Sequence, residues 1–333
     1  RQSILAAGGA HAKRLAGGKL SGHRHSSTQI NSAPPAFQMT TVRIAAFTLL
    51  AMIAFAGNSI LCRIALKETG IDAASFTSIR LISGALVLWA ITALLCRDRA
   101  GRGNWLSAFA LFAYAAAFSF AYISLTAATG ALLLFGAVQA TMIGHGLWTG
   151  ERLHGQQIVG LILGLGGLAG LLLPGLSAPP LIGSVLMLVA GVAWGVYSIR
   201  GKGTGDPTRV TSGNFLRASL FTVLLSVLAI SDYNPDLAGV GYAVASGAIA
   251  SGLGYAIWYS VVPALKATNA ATIQLSVPVI AALGGIVILG ESVTLRFVLA
   301  SLAILGGIAL VILRKPGKNT EHVSPLSTIT RQD

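Results

Sequence analysis

Acidic residues are the first candidates for chemistry in this sequence, because the whole chain has only ten of them. Glu151 in "GERLHG" and Glu291 in "GESVTL" each follow a glycine between two long apolar runs, 140 positions apart. Neither these two nor any Asp lies in the interior of an apolar run, so the buried Asp pair of an intramembrane protease is not predicted. The two residues are predicted to have gating or structural roles, the glycine ending one helix and the carboxylate favouring the N-terminus of the next.

Three arginines lie within apolar runs, where ionisable groups are costly and therefore candidates for function. Arg80 and Arg217 occupy matching places, Arg80 about 10 Å from the start of its run at about 1.5 Å per residue. One interpretation is that they bind a substrate carboxylate or a gate partner. The other is that they anchor helices by reaching the interface or helix-end carbonyls. Arg63 lies near the end of its run, which favours the anchor.

Histidine and cysteine are too few and too scattered to predict a metal site. His145, near the end of an apolar run, is either a hydrogen-bonded structural histidine or a proton carrier. Cys62 and Cys96 are predicted to be buried free thiols. We expect no catalytic residue, no metal and no cofactor, and we do not expect an enzyme.

Aromatic and uncharged polar side chains offer a second kind of site. Tyr114, Phe118 and Tyr122 follow each other at i, i+4 and i+8 on one helical face. Further aromatics follow later in the chain: Trp194, Tyr197, Tyr255, Trp258 and Tyr259. One interpretation is that all these rings pack in the interior or lie at the membrane interface. The other is that they line an apolar chamber that suits organic solutes.

Four amide side chains are candidates to orient a substrate, although each could instead bind a neighbouring helix; they are Asn58, Gln139, Asn214 and Gln274. Pro263 and Pro278, with "SGLG" at 251–254, are expected to weaken two helices enough to bend. Such bends serve gating or are tolerated passively.

The elements that position these residues are membrane spans. Hydrophobic residues make up 54% of the chain and charged residues 10%, against roughly 25% charged in a soluble domain. An integral membrane protein is therefore predicted, and nucleic acid is not an expected partner despite a net charge of +13. Runs of about 20 apolar residues predict ten transmembrane helices at 43–66, 73–95, 104–124, 129–149, 155–173, 181–200, 211–230, 239–262, 269–289 and 294–313.

Basic residues between the spans predict the orientation. Lys67 and Arg296 belong to one side of the membrane, whereas eleven basic residues belong to the other. That side is predicted to be the cytoplasm, and it holds both termini. Its basic residues are Arg97, Arg99, Arg102, Arg152, Arg200, Lys202, Arg209, Lys266, Arg314, Lys315 and Lys318.

An internal repeat divides the spans into two sets of five. "LGGLAGLLL" at 165–173 aligns with "LGGIALVIL" at 305–313 at an offset of 140, and "TSIRL" around Arg80 aligns with "NFLRA" around Arg217 at 137. Five is an odd number, so the two sets must have opposite orientations. The predicted fold is an all-α, 5+5 inverted-topology repeat, an architecture typical of transporters with a binding site at the midplane.

The repeat carries motifs that resemble the drug/metabolite transporter superfamily, in its EamA-type ten-helix branch. These are "AWGVYS" on the first helix of the second half, "SIRL" and "FLRA" early in the second helix of each half, and "VPALK" after the third. The first half departs from the pattern at Ala56 and Val138, so the halves should contribute unequal surfaces. The resemblance covers about 40–315 and implies that helices 1, 3, 4, 6, 8 and 9 surround a central cavity.

Together with the aromatic residues, the resemblance, in particular to the aromatic amino-acid exporter branch, implies export of small organic metabolites across a bacterial inner membrane, with aromatic or apolar amino acids as the favoured substrates. Alternating access with uncoupled, facilitated flux is expected, because no acid is predicted within the spans. A proton-coupled drug or metabolite efflux transporter is the alternative, and an intramembrane enzyme a distant one. The expected partners are the substrate and lipid, in a monomer or homodimer.

The predicted domain organisation has four parts. Residues 1–38 are interpreted as a disordered extension or tag, 39–174 and 175–315 as the two repeats, and 316–333 as a cytoplasmic tail. Gly160 and Gly164 form a GxxxG pattern that suits either a dimer or packing within one chain.

Overall fold

The computed structural model describes residues 40–95, 102–150, 152–175, 178–201, 206–265, 270 and 273–313, and every regular element in these ranges is helical. The predicted terminal segments 1–38 and 316–333 lie outside this part of the chain. The ten main elements are α1 Thr41–Glu68, α2 Ala73–Leu95, α3 Trp105–Tyr122, α4 Ala127–Trp148, α5 Gly155–Leu172, α6 Leu181–Gly201, α7 Pro207–Leu228, α8 Leu237–Ala264, α9 Ser276–Leu289 and α10 Leu295–Ile312.

The predicted spans correspond to these helices. Within the described ranges, nine helices are long and apolar enough to cross a bilayer, and α9, with 14 residues, is shorter. Fourteen residues rise about 21 Å, less than the roughly 30 Å hydrocarbon core. The span was predicted to begin at residue 269, but its continuous helix begins at Ser276. Residues 270, 273 and 274 before it are also helical.

Polar residues fix where most helices begin. Thr40, Asn104, Thr126, Asp206 and Thr294 precede α1, α3, α4, α7 and α10, and each side chain accepts a hydrogen bond from a backbone N–H three residues later. These bonds satisfy donors that a helix start leaves unpaired. Asp206 and Pro207 form such a start. The helix α7 therefore begins at Pro207, whereas the apolar run predicted a start at residue 211.

The helix α8 changes its winding along its length. It is α-helical over Leu237–Val244, π-helical over Ala245–Leu253, α-helical again over Gly254–Val261, and ends in a 3₁₀ turn at Val262–Ala264. The "SGLG" segment at 251–254 lies at the junction where the π-helical part ends. Pi-helical turns are rare and concentrate at functional sites.

Hydrogen bonds that involve the connecting segments identify the two ends of the bundle. At the Glu291 end, Arg296 donates to the Leu173 carbonyl at 2.6 Å and the Asn234 N–H donates to Asp72 at 3.1 Å. At the opposite end, the Asn104 end, the Asn104 N–H donates to Asn214 at 2.9 Å. Successive helices run between these ends in alternating directions, as their short connections predict.

Helices of the first five pack mainly against helices of the second five. Contacts join α2 with α7, α4 with α9, and α5 with α10. Shifting the helix numbers by five converts three further contacts into contacts that are also present. The α3–α6 contact becomes α8–α1, the α4–α6 contact becomes α9–α1, and the α2–α8 contact becomes α7–α3. The α2–α7, α4–α9 and α5–α10 contacts are unchanged by the same shift, so every contact named here has an equivalent.

Glycines allow the closest helix crossings. A Cβ on Gly160 of α5 would meet the Gly307 carbonyl of α10 at 2.5 Å, and a Cβ on Gly247 of α8 would overlap the Arg80 carbonyl of α2. Only a residue without a side chain fits at such crossings. The GxxxG pattern of α5 is therefore occupied, at Gly160, by packing within this chain.

Candidate functional site

Six aromatic rings form a continuous column through the bundle. In order from the Asn104 end to the Glu291 end, the members of this ring column are Tyr259, Tyr255, Trp194, Tyr114, Phe118 and Tyr122. Neighbouring ring centroids are 6.3, 5.4, 4.9, 5.4 and 4.7 Å apart along this order, within the range of attractive ring pairs.

Helical spacing explains how three helices build the column. Tyr114, Phe118 and Tyr122 recur every fourth residue of α3, so they share a face, and Tyr255 and Tyr259 do the same on α8. Trp194 of α6 stacks on Tyr255 with 19° between the ring planes and joins the two sets. The chain thus brings together five aromatics from two helices that the predicted repeat pairs, and the chamber hypothesised from the sequence stays a prediction.

Further rings branch from the column. Tyr197 stacks on Trp194 at 5.2 Å, and Trp258 contacts Phe55 at 6.1 Å. Phe55 of α1 also contacts Tyr255 at 5.4 Å, and Phe215 of α7 contacts it at 6.0 Å. Sequence reasoning missed Phe55 and Phe215. Phe55 is adjacent to Ala56, the position aligned with Trp194, so a shift of one residue in the repeat would have revealed it.

Arg80 is buried beside the middle of the column, with 2% of its surface exposed. Its Nη2 donates to the Tyr114 hydroxyl at 2.9 Å, and its guanidinium lies 4.7 Å from the Phe118 ring centroid. Arg80 Nη1 is buried without a hydrogen-bond partner among the described residues. This environment does not fit the interface anchor that was one interpretation of the sequence.

Arg217, which aligns with Arg80 in the predicted repeat, is bound differently. Its Nη1 donates to the carbonyls of Arg102 at 2.6 Å and Gly213 at 2.9 Å, and its guanidinium lies 5.8 Å from the Trp105 ring centroid. One of these carbonyls belongs to α7 itself and the other to the segment before α3, so Arg217 is held by backbone as the anchor interpretation expects. Two arginines that look equivalent in sequence therefore have different environments.

Two of the four amide candidates join helices. Asn58 of α1 accepts a hydrogen bond from the Ser246 hydroxyl in the π-helical part of α8. Asn214 of α7 accepts from the Asn104 N–H and donates to the Tyr197 hydroxyl at 3.4 Å. Both are buried, and their bonds fix the helices around the column.

The side chains of the remaining polar candidates make no hydrogen bond to the rings of the column in the described part of the chain. Gln139 lines a small groove between α4, α5 and α10 that shares no residue with the ring column. Gln274 is half-buried just before α9, and the His145 side chain is exposed in the last turn of α4. Cys62 is a buried free thiol, whereas Cys96 lies outside the described residues.

The two proline candidates lie at helix ends. Pro263 is in the 3₁₀ turn that closes α8, and Pro278 is in the first turn of α9. A first turn has no internal partner for its N–H groups, so Pro278 breaks no hydrogen bond there. The change of winding in α8 covers Ala245–Leu253, which includes most of the "SGLG" segment that was named with the prolines.

Glu291 connects three elements at the Glu291 end. Its carboxylate lies 3.5 Å from Arg63 Nε and accepts the Ala127 N–H at 2.9–3.0 Å. Arg63 in turn donates to the carbonyls of Tyr122 and Ile123. The glycine ends α9 as predicted, since Gly290 has a φ of +62°, but the carboxylate lies at the N-terminus of α4 rather than of α10. Glu151 lies outside the described residues.

A cavity of about 220 Å³ adjoins Glu291 at the same end of the bundle. Hydroxyl side chains contribute much of its polar lining: Ser124, Thr126, Thr129, Ser292 and Thr294. Within the described part of the chain, no three His, Cys, Asp or Glu residues are grouped so that they could hold a metal ion. The chemistry offered by the site is therefore recognition by rings, a guanidinium and hydroxyl groups.

Comparison with known proteins gives matches of three kinds. Residues 181–313 match the EamA-like transporter family. The chain is 57% identical over 272 residues to the uncharacterized protein PA1977 of Pseudomonas aeruginosa, covering 81% of this chain and 95% of that protein. It is 30% identical over 148 residues to the threonine/homoserine exporter RhtA of Salmonella typhimurium, covering 42% of this chain and 50% of RhtA.

The fold also resembles a solved crystal structure. The TM-score is 0.58 with 19% sequence identity, over 80% of this chain and 97% of that one. At this identity the likeness concerns the fold alone.

Proposed function

The chain belongs to the EamA-like transporter family, and on that premise we propose that it carries aromatic or apolar amino acids across a bacterial inner membrane. Members of this family are transporters rather than enzymes, so the chain is a multi-pass membrane transporter of small molecules. The amino-acid class is supported by the similarity to RhtA, which is named as a threonine/homoserine exporter.

The ring column is the observation that carries this proposal. Tyr114, Trp194 and Tyr255 meet at its centre from α3, α6 and α8, and neighbouring rings contact each other. A substrate with an aromatic or apolar side chain would separate two rings and replace the lost ring contacts by its own. Because the column runs from one end of the bundle to the other, it offers such contacts along the whole path.

The proposed mechanism is alternating access between two inverted halves. It is supported by the helix contacts described above, each of which has an equivalent when the helix numbers are shifted by five. Contacts across the two sets of five exceed those within them, so a relative movement of the sets would open one end and close the other. The Asn104 end is proposed to face the cytoplasm, because basic residues concentrate in its loops.

We propose that the flux is facilitated rather than coupled to protons. The described carboxylates that make hydrogen bonds or ion pairs, namely Glu68, Asp72, Asp206, Asp236 and Glu291, lie at helix ends and not along the ring column. Proton-coupled efflux is the alternative that the same assay can reveal.

The test is counterflow of radiolabelled amino acids in proteoliposomes, with phenylalanine, tyrosine, leucine, threonine and glutamate as the panel. Phenylalanine and tyrosine should exchange fastest, and Trp194→Ala should raise the half-saturating concentration about tenfold by removing ring contacts. Trp89→Ala is the matched control, since Trp89 lies on α2 with 57% of its surface exposed.

The outcomes separate the proposals. Equal exchange of all five amino acids, or equal effects of the two tryptophan variants, would contradict the ring column as the substrate path. Exchange that requires an imposed pH gradient would contradict facilitated flux and favour proton-coupled efflux.

A further inference from the structure

We propose that Arg80 binds the carboxylate of the substrate, so that the transporter selects carboxylic acids with an aromatic or apolar side chain. This inference rests on the proposed function and adds the polar group that the substrate must carry. It assigns different roles to Arg80 and to Arg217, which align with each other in the repeat.

The first argument is the unsatisfied donor. Arg80 Nη2 is bonded to the Tyr114 hydroxyl at 2.9 Å, but Nη1 is buried and has no partner in the described ranges. A buried donor without an acceptor is costly, and a buried charge even more so. A ligand that brings an anionic acceptor to Nη1 would remove this cost.

The second argument is the charge around Arg80. Its described neighbours are neutral: the rings of Tyr114 and Phe118 lie 5.2 and 4.7 Å from its guanidinium carbon. The described carboxylate of Glu291 is engaged elsewhere, with Arg63 and the Ala127 N–H. Ring faces offset only part of the cost of burying a cation, so the site is complementary to one negative charge.

The third argument is position. Tyr114 and Phe118 are the fourth and fifth rings of the column, so an acid bound at Nη1 would have its side chain beside the rings. The Arg80 backbone meets α8 at Gly247, inside the π-helical part Ala245–Leu253. Arg80 therefore belongs to the crossing of α2 and α8, one helix from each set of five, where substrate binding can influence how the sets move.

Arg217 provides the contrast. Its Nη1 already donates to two backbone carbonyls, those of Arg102 and Gly213, so it has no need of a ligand. It is an arginine at the same place in its repeat, with the same charge, and it serves as the matched control.

The experiment compares each acid with its amide. Binding of phenylalanine, phenylalaninamide, phenylacetate and phenylacetamide to the purified full-length protein is measured by thermal shift and by competition against labelled phenylalanine counterflow. The wild type should bind each acid at least about tenfold more tightly than its amide, as expected for a charge-assisted hydrogen bond. Arg80→Gln should abolish this difference, Arg80→Lys should retain part of it, and Arg217→Gln should leave it unchanged.

The contrary results are distinct from failure of the proposed function. If the wild type binds acids and amides equally, or if Arg80→Gln keeps the preference, the assignment of Arg80 is wrong even if amino acids are transported. If phenylacetate but not phenylalanine binds, through Arg80, the carboxylate site stands and the amino-acid function fails. If none of the four compounds binds the wild type, both fail. If Arg80→Gln does not fold, the assignment of Arg80 is tested by the preference of the wild type for acids over amides and by how much of that preference Arg80→Lys retains.

Discussion

The Glu291 carboxylate lies 3.5 Å from Arg63 Nε while both of its oxygens accept the Ala127 N–H at 2.9–3.0 Å. One side chain thereby ties the segment between α9 and α10 to α1 and to the N-terminus of α4. The side chains of Arg63 and Glu291 are only 12% and 6% exposed. We expect that this anion at a helix start, paired with a partly buried arginine, stabilises a closed arrangement of this end.

Glu291→Gln should open the Glu291 end more often. The amide can still accept the Ala127 N–H, but it gives Arg63 no negative charge, so the closed arrangement should lose about 1–3 kcal/mol. Ala128 is buried and lines the adjoining cavity, so its exposure reports opening. In an otherwise cysteine-free protein, Ala128→Cys should react several-fold faster with a maleimide when Glu291→Gln is present.

The control for this prediction is Glu68→Gln. Glu68 pairs with Lys67 at 3.1 Å, but its side chain is 54% exposed, and surface pairs contribute little. Reaction of Ala128→Cys should not change in this variant. Equal reaction rates with and without Glu291→Gln would show that the carboxylate does not hold this end closed.

The helices could be predicted from the sequence because hydrophobic length specifies a membrane span almost by itself. The predicted spans are wrong at helix ends whose positions do not depend on hydrophobicity. Asp206 and Pro207 start α7 before its apolar run begins, and α9 starts at Ser276, well inside its apolar run. The sides of the membrane and the inverted repeat remain predictions.

The environments of single side chains could not be predicted. In spans that are apolar all round, such as α1 and α2, hydrophobicity does not indicate which face points inward. Arg80 and Arg217 therefore look alike in the sequence, although in the structure only Arg217 contacts the Arg102 carbonyl. Asn58 is similar, because its partner Ser246 is far away in sequence and belongs to a π-helical part. The "SGLG" pattern at 251–254 predicted a weakened helix there but not its winding.

Gly247→Ala should destabilise the protein and impair transport. A Cβ at this position would overlap the Arg80 carbonyl and the Ser83 hydroxyl, so α2 and α8 must separate at an expected cost of about 1–3 kcal/mol. Thermal denaturation in detergent measures the loss. Gly241→Ala, on the same helix with open space around the position, should leave the melting temperature unchanged or higher. Equal melting temperatures for the two variants would contradict the close crossing.

Gly160→Ala should lower the melting temperature without changing the oligomeric state. The added Cβ would meet the Gly307 carbonyl at 2.5 Å, which is a contact within the chain between α5 and α10. Gly166→Ala, on the same helix with nothing within 4 Å, is the control. Size-exclusion chromatography with light scattering checks the mass. A dimer that dissociates in Gly160→Ala at an unchanged melting temperature would show that Gly160 serves a dimer instead.

Asp72 should contribute stability that depends on pH. Partial burial raises the pKa of Asp72, but hydrogen bonds from Ser75 and from the Asn234 N–H lower it more, so the net pKa lies below its usual 3.8. A lowered pKa in the folded state means that the stabilisation is present above pH 3.8 and is lost as the pH falls through the folded-state value. Asp72→Asn should therefore melt below the wild type at pH 7, and the gap should narrow below pH 3.8. A gap that stays constant with pH would contradict this role.

Counterflow of labelled phenylalanine into proteoliposomes preloaded with unlabelled phenylalanine, without a pH gradient, tests the central claim most directly. An aromatic amino-acid transporter that works by alternating access should accumulate the label transiently above equilibrium. The overshoot should diminish in Trp194→Ala and persist in Trp89→Ala. Label that only equilibrates, at the rate seen in protein-free vesicles, would contradict the account.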